Sequence, residues 1–184
     1  MNGTNAPCEL FEESLRVGPA NIREHMILLS LLASQCNHVT EFGTSMGIST
    51  SALLLALPRR LITYDIIRHQ RVDRLVEVAD LAHIDFSFRL ANTAKLSTIE
   101  ATDMLFIDSA HVEEQLAAEL AHAHQARRYL VFHDVETFGI QPEVSGRGRG
   151  LVFALLNFLR LYHDQWEVQA HYRNNNGLTV LRRR

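Results

Sequence analysis

Short apolar runs alternate with longer amphipathic stretches along most of the chain, which is the pattern of strands and helices in turn. The runs with strand character lie at 38–42, 60–64, 84–90, 104–107 and 129–132. The stretches with apolar residues at helical spacing lie at 19–36, 49–57, 68–81, 113–126 and 150–162. Two further apolar segments, 166–172 and 178–181, predict an antiparallel pair of strands at the end of the sequence.

This order of elements predicts an α/β fold. Strands that alternate with helices need right-handed crossovers, which produce a mostly parallel sheet with helices on both faces. We therefore expect a Rossmann-like, doubly wound fold that includes the C-terminal antiparallel strand pair. No repeat, low-complexity segment or long linker divides the 184 residues, so we expect a single domain over 1–184. Residues 1–18 are expected to be loosely ordered.

The composition narrows the setting of the protein. Its net charge is -3 at pH 7, which argues against a nucleic-acid partner because such proteins usually carry a basic face. Cys8 and Cys36 lack the spacing of a zinc site or a redox pair, and this indicates a reducing compartment. The first residues do not resemble a secretion signal, and the apolar stretch 26–33 is too short to cross a bilayer. We expect a cytoplasmic protein with no membrane partner.

Acidic residues stand at the ends of successive predicted strands. They are Glu41, Asp65, Asp108 and Asp134. A single acid at such a place could cap a helix, but several at one edge of a sheet would repel one another without a partner. Because ligands bind at the carboxyl ends of parallel strands, the sequence predicts a shared functional site at this edge.

The turn after the first predicted strand is rich in small polar residues, in the stretch TEFGTSMGIST at 40–50. Gly43 and Gly47 allow a positive φ or a close approach to a ligand. Hydroxyl groups are supplied by Thr44, Ser45 and Ser49. The helix that follows directs free N–H groups to the same place, where they favour a carboxylate or a phosphate. The turn lacks the GKS or GKT of a phosphate-binding loop and the GxGxxG of a dinucleotide site. Together with Asp65, which can accept hydrogen bonds from ribose hydroxyls, it predicts a nucleoside ligand.

Several blocks of the sequence resemble the class I S-adenosylmethionine-dependent methyltransferases. EFGTSMGIST followed by LITYDI resembles their first motif and the acid of their second strand. One subgroup, the small-molecule O-methyltransferases and cephalosporin-hydroxylase-like proteins, is resembled by FIDSAHVEEQL, YLVFHDVETFG, GRGRGLVFALLNF and NNNGLTVLR. The resemblance extends over residues 20–182 and implies methyl transfer from S-adenosylmethionine to an oxygen of a small molecule.

The resemblance also implies which residues bind the cofactor. Its methionine end would be bordered by Glu41, Gly43, Thr44, Ser45, Gly47 and Ser49. Asp65 would bind the ribose hydroxyls, while Ile66 and Asn92 would lie at the adenine. Asp108 and Ser109 would lie near the methionine amino group or the reacting methyl.

Histidine is the expected base. In catechol-type relatives a lysine three positions after the acid of the fourth strand acts as base, and His111 occupies that offset here. An imidazole near its usual pKa can take a hydroxyl proton at neutral pH. Alternatively, His111 only orients the helix that follows it. His133 could serve as the base instead or line the substrate pocket, so the catalytic candidates are His111, Asp108, His133 and Asp134.

The sequence leaves a divalent metal such as Mg²⁺ open. Asp108 and Asp134 could hold it, as in metal-dependent relatives, since Mg²⁺ needs few carboxylates. Those relatives carry an Asp-Asn pair or two adjacent acids where this chain has His133, Asp134 and Val135.

The glycine-rich segment 136–149 predicts a flexible loop that closes over the site and excludes water. Arg147 and Arg149 within it could contact an acidic substrate or stay solvated. Two other functions share the predicted features, namely a nicotinamide-dependent oxidoreductase and an inactive cofactor-binding or scaffold protein of the same fold. The small size leaves recognition of the acceptor to the N-terminal helix, the loop or a second subunit, so a homodimer is also considered.

Overall fold

The computed structural model describes residues 5–184. Its strands are β1 (His38–Phe42), β2 (Arg60–Asp65), β3 (Asp85–Leu90), β4 (Thr102–Ile107), β5 (Ala126–His133), β6 (Trp166–Tyr172) and β7 (Leu178–Arg183). Its helices are α1 (Ala6–Val17), α2 (Ala20–Arg23), α3 (Met26–Ala33), α4 (Ile48–Leu55), α5 (Val72–Leu81), α6 (Glu113–Leu120) and α7 (Leu151–Tyr162). Within the described residues, no helix is both long enough and apolar enough to span a membrane.

All strands belong to one sheet, in the order β3-β2-β1-β4-β5-β7-β6. The first five strands are parallel, and β7 runs antiparallel between β5 and β6. This topology confirms the predicted doubly wound α/β fold and its C-terminal antiparallel pair. The strand order reverses between β1 and β4, which places the ligand crevice of such a sheet at the carboxyl ends of these two strands.

Two apolar cores cover the two faces of the sheet. One lies against α1, α3, α4 and α5, and the other against α6 and α7. The central strands face both cores, which explains why β4 and β5 appear in the sequence as continuous apolar runs rather than alternating ones. The side chains of Leu105 and Phe106, adjacent in β4, are accordingly both buried.

The start of the chain differs from the expectation that 1–18 is loosely ordered. Residues 6–17 form α1, which packs on α4. Leu10 and Phe11 are buried in the first core, and Gly18 ends the helix by donating its N–H to the carbonyl of Ser14. The sequence signal for this helix was the spacing of Ala6 and Leu10, four residues apart on one face. The part of the expectation that concerns residues 1–4 lies outside the described residues.

The predicted helix at 19–36 is divided into α2 and α3 by a break at Glu24 and His25. The break is held by the turn between β6 and β7. The side-chain carbonyl of Asn175 accepts a hydrogen bond from the backbone N–H of Glu24, and the amide of Asn174 donates to the Glu24 carboxylate. This contact between distant parts of the sequence places α2 beside the carboxyl edge of the sheet.

We expect Leu10→Ala to lower the free energy of unfolding by about 2–5 kcal/mol, because it leaves a cavity beneath α1. Leu10 is 1% exposed, whereas Leu31 on α3 is 59% exposed. Leu31→Ala is therefore the control and should change the free energy of unfolding by less than about 0.5 kcal/mol. Urea unfolding followed by circular dichroism measures both. Equally small effects would contradict the packing of α1 on the core.

Candidate cofactor and acceptor site

A cavity of about 610 Å³ opens at the carboxyl ends of β1, β2 and β4, above the start of α4. Its volume is in the range of cofactor and small-ligand sites. The structure brings most of the predicted site residues together on its wall: Gly43, Thr44, Ser45, Ser49, Asp65, Ile66, Asn92, Asp108, Ser109, His111 and Asp134. Three other predicted residues, Glu41, Gly47 and His133, do not line this cavity.

The glycines of the β1–α4 turn are required by close packing within the protein. Gly43 has φ +95°, and a Cβ on it would lie 1.9 Å from the carbonyl oxygen of Asp108. Gly47 has φ +72°, and a Cβ there would overlap the side chain of Leu75. The turn is therefore pressed between the end of β4 and helix α5. This packing carries the backbone of residues 44–46 to the rim of the cavity.

Glu41 lies behind the wall of the cavity. Its carboxyl group is fully buried and accepts hydrogen bonds from the hydroxyls of Ser49 and Thr50, both at 2.6 Å. Burial raises the pKa of Glu41 to about 8, and the two hydroxyl groups offset only part of this effect. Glu41 thus ties β1 to the first turn of α4, whereas Ser49 lies on the cavity wall itself.

Asp65, at the end of β2, lies on the cavity wall and is held there by backbone N–H groups. Its carboxylate accepts hydrogen bonds from the N–H groups of Ser45 at 2.7 Å and Ile67 at 3.0 Å. Each carboxylate oxygen keeps a further lone pair for a ligand. Ile66 lines the cavity next to Asp65 and is 66% exposed, so this end combines an oriented acid with an uncovered apolar side chain.

The four catalytic candidates form one cluster at the ends of β4 and β5. Nε2 of His111 lies 2.8 Å from Oδ2 of Asp134 and 3.4 Å from Oδ1 of Asp108. Nδ1 of His133 lies 3.4 Å from Oδ1 of Asp108 and 3.4 Å from Oδ1 of Asp134. Of the four strand-end acids, Asp65, Asp108 and Asp134 line one cavity, and the last two share the two imidazoles as partners.

The ring of His133 is completely buried and fixed on its other side by backbone. Its Nε2 lies 3.1 Å from the carbonyl oxygen of Asn21 and 3.0 Å from that of Asn175. Carbonyl oxygens only accept hydrogen bonds, so Nε2 carries a proton and donates it. Nδ1 consequently points at the two carboxylates. The α2 segment and the β6–β7 turn together orient this side chain.

His111 lies on the cavity wall between acids and stacks on Phe138, with ring centroids 4.8 Å apart. Its Nδ1 is 3.1 Å from a carboxylate oxygen of Glu143, which belongs to the 136–149 loop. Burial lowers the pKa of His111, but the hydrogen bonds to Asp108 and Asp134 outweigh burial and raise the pKa to about 10. This differs from the near-ordinary pKa expected from the sequence. With these neighbours alone the imidazole is charged at neutral pH.

Residues of the 136–149 loop contribute to the cavity wall, while its flexibility and closure stay predictions. Its two arginines have different surroundings. Arg149 makes a bidentate ion pair with Glu113 at 2.7 Å and covers the ring of Phe153, so it fastens the loop to α6 and α7. Arg147 lines the cavity together with Glu143.

A buried network next to Asn92 was not anticipated. The carboxyl group of Glu119 in α6 accepts hydrogen bonds from Ser109, from Gln115 and from Thr93. Burial raises the pKa of Glu119. The sequence signal was a glutamate on the apolar face of a helix, three positions after Leu116 and one before Leu120. The network supports the cavity wall at Ser109 and Thr93.

Solved methyltransferase structures are similar to this chain. An O-methyltransferase from Bacillus cereus in complex with S-adenosylhomocysteine (SAH) has a TM-score of 0.67 at 18% identity, covering 96% of this chain and 91% of that one. An O-methyltransferase of tomaymycin synthesis from Streptomyces achromogenes, in complex with S-adenosylmethionine, has a TM-score of 0.64 at 20% identity, covering 93% and 89%. A SAH-bound methyltransferase from Podospora anserina has a TM-score of 0.64 at 14% identity, covering 98% and 88%.

These similarities show that the chain has the fold of the class I methyltransferases. No family model matches the sequence, and no curated protein matches it either.

The buried carboxyl of Glu41 should make stability depend on pH. Its pKa is about 8 in the folded protein against an ordinary value of 4.5, so between these values the unfolded chain binds fewer protons than the folded one. The free energy of unfolding should therefore decrease as the pH rises through this window. In Glu41→Gln this contribution is absent, so the variant should gain stability relative to the wild type between pH 5 and pH 8, as measured by urea unfolding.

The control for this experiment is Glu114→Gln, which replaces an exposed acid on α6. Its stability should follow that of the wild type at both pH values. A parallel pH dependence of Glu41→Gln and the wild type would contradict the raised pKa.

Proposed function

We propose that the protein is an S-adenosylmethionine-dependent methyltransferase that acts on an oxygen of a small molecule. The observation that carries this proposal is the cavity at the β1–β4 crevice. It has an oriented carboxylate beside an uncovered isoleucine at one end and a cluster of carboxylates and imidazoles at the other. The first end suits a nucleoside and the second suits proton transfer beside a cationic group.

The nucleoside end fits the cofactor in the chemistry of its donors. The backbone N–H groups of Ser45 and Ile67 hold the Asp65 carboxylate in place, so it can accept two ribose hydroxyls without reorganising. Ile66 offers an apolar surface for the adenine, and Asn92 lies on the same part of the wall. This end of the cavity would therefore bind the adenosine through the carboxylate of Asp65 and the apolar side chain of Ile66.

The methionine end would lie over the start of α4. Gly47 occupies the N-cap position and has no side chain to cap the helix, so the first N–H groups of α4 are available to a carboxylate. Asp108 lies across the cavity and would attract the ammonium and sulfonium charges. When bound, the cofactor supplies an activated methyl group on a good leaving group. The protein then has to align the acceptor and handle one proton.

His111 is the proposed base because it lies on the cavity wall, whereas His133 does not. Asp134 and Glu143 hold its two nitrogen atoms, and Phe138 fixes the plane of the ring. To accept a proton from the acceptor hydroxyl, the imidazole must be neutral. A positive charge other than that of His111, placed beside Asp108 and Asp134, would favour the neutral imidazole. It would balance the negative charge of the same two carboxylates and so lower the pKa of His111. The 136–149 loop would keep water away from the reacting atoms.

The oxidoreductase alternative fits less well. Dinucleotide-binding folds have the strand order 3-2-1-4-5-6, whereas this sheet places an antiparallel β7 between β5 and β6. An inactive cofactor-binding protein would share every feature of the nucleoside end. Only a measurement of methyl transfer distinguishes it from the proposed enzyme. Because Cys8 and Cys36 are free thiols, the proposal includes a reducing compartment such as the cytoplasm. It also includes a homodimer, in which a second subunit would add to acceptor recognition beside the N-terminal helix and the 136–149 loop.

Asp65→Ala should weaken SAH binding by about 10- to 100-fold, because a charged acceptor of two hydrogen bonds is lost. Isothermal titration calorimetry of wild type and variant with SAH measures this. Asp73→Ala, which removes an exposed acid of α5, should bind SAH like the wild type. The same titration with NAD⁺ separates the alternatives, since binding of NAD⁺ without SAH would contradict the proposal.

His111→Ala should lower kcat by about 10²- to 10⁴-fold while SAH affinity stays unchanged, as expected for loss of a general base. The assay transfers a radiolabelled methyl group from S-adenosylmethionine to a panel of phenols, catechols and hydroxy acids. His163→Ala removes an exposed histidine beyond α7 and should keep full activity. Unchanged turnover in His111→Ala would exclude it as the base. SAH binding without any methylated acceptor would favour the inactive alternative.

A further inference from the structure

We propose that Asp108, His133 and Asp134 bind a first-row transition metal ion such as Zn²⁺ or Co²⁺, in preference to Mg²⁺ or Ca²⁺. The inference rests on the proposed function and deepens it, because the ion would lie beside His111, the proposed base, in the same cavity. It can nevertheless be tested by binding alone, without methyl transfer.

The geometry of the three side chains suits one ion. Among the described residues they form a group whose possible ligand atoms all lie within 4.8 Å of one another. Nδ1 of His133 is 3.4 Å from an oxygen of each aspartate. Ligand atoms about 2.0–2.2 Å from a metal lie about 3–3.5 Å apart, which agrees with this spacing. A charge-assisted hydrogen bond would be shorter, about 2.7–2.9 Å.

The ring of His133 is already oriented as a ligand. Its Nε2–H faces the carbonyl oxygens of Asn21 and Asn175, which leaves Nδ1 to face the carboxylates. Histidines that bind metals usually donate their other N–H to a carbonyl or carboxylate in this way. Because the side chain is fully buried, it has no freedom to turn toward solvent.

One carboxylate oxygen of Asp134 is buried and weakly satisfied within the protein. It is 3% exposed, and its Oδ2 is engaged by His111. Its Oδ1 makes no hydrogen bond, and it lies 3.4 Å from Nδ1 of His133, which is longer than a charge-assisted hydrogen bond. A buried carboxylate oxygen without a partner is costly, so this oxygen is available for a cation.

The nitrogen donor decides which metal is preferred. Mg²⁺ and Ca²⁺ take oxygen ligands, whereas imidazole favours Zn²⁺ and other first-row transition ions. His133 is the nitrogen donor of the set, beside the oxygens of Asp108 and Asp134. Three protein ligands also leave positions open toward the cavity, since Asp108 and Asp134 both lie on its wall. Those positions would orient the acceptor oxygen.

The first experiment uses the full-length protein after chelation and dialysis. We expect one Co²⁺ to bind and to produce visible absorption bands, and Zn²⁺ to compete it away. Zn²⁺ should bind at least about 100-fold more tightly than Mg²⁺ in calorimetry and should raise the melting temperature. Equal affinities for Zn²⁺ and Mg²⁺, or no binding of any of these ions, would overturn the proposal.

Variants then locate the site. His133→Gln should lose the Co²⁺ bands and weaken Zn²⁺ binding by about 10- to 100-fold, and His133→Asp should shift the preference toward Mg²⁺. His171→Gln, which removes an exposed histidine, and His111→Gln, which removes a neighbour of the site, should both keep the Co²⁺ spectrum. Retained Co²⁺ bands in His133→Gln would overturn the proposal. If His133→Gln does not fold, Asp134→Asn should show the same loss.

SAH titrations of the same samples separate this inference from the proposed function. Metal binding without SAH binding would contradict the methyltransferase proposal alone. SAH binding with no metal binding would contradict the metal site alone.

Discussion

The close contact between the ends of β1 and β4 is the constraint on which the site depends. The N–H of Asp108 donates to the carbonyl of Phe42, the last residue of β1. Gly43, which follows the strand, touches the Asp108 carbonyl where a Cβ would overlap it. From this point the chain turns toward α4 on one side, while Asp108 extends toward β5 on the other. The polar β1–α4 turn and the cluster of carboxylates and imidazoles around Asp108 therefore both begin at this contact. The cavity is consequently lined by both regions.

The acids that converge on this edge are accommodated by different donors. Hydroxyls hold Glu41 and backbone N–H groups hold Asp65, whereas imidazoles serve Asp108 and Asp134. The sequence argument expected the four acids at one shared site; Asp65, Asp108 and Asp134 line the same cavity, and Glu41 lies behind its wall. This difference matters, because a carboxylate such as that of Asp65, which accepts hydrogen bonds from the protein itself, is held in one orientation without a counter-ion. The pair that shares partners is the part of the edge where charge remains to be balanced.

Much of this arrangement follows from local sequence. Alternating apolar runs predicted the sheet, and the rule that ligands bind at carboxyl ends predicted which residues line the cavity. The parts that escaped prediction depend on contacts between distant residues. The orientation of His133 is set by carbonyls of Asn21 and Asn175, and the charge of His111 is set by Asp108 and Asp134. Periodicity and motif spacing carry no information about such contacts, because they arise only when the elements have packed.

The two carbonyls that fix His133 also bear on the order in which the molecule acquires its site. One belongs to α2 and the other to the turn before β7, which also clasps the break between α2 and α3 through Asn174 and Asn175. During synthesis on the ribosome, β1, β4 and β5 emerge well before that turn. The wall of the cavity at Asp65 belongs to elements that emerge while the imidazole of His133 is still unsupported. The cluster of Asp108, His111, His133 and Asp134 is completed only when the C-terminal hairpin adds to the sheet.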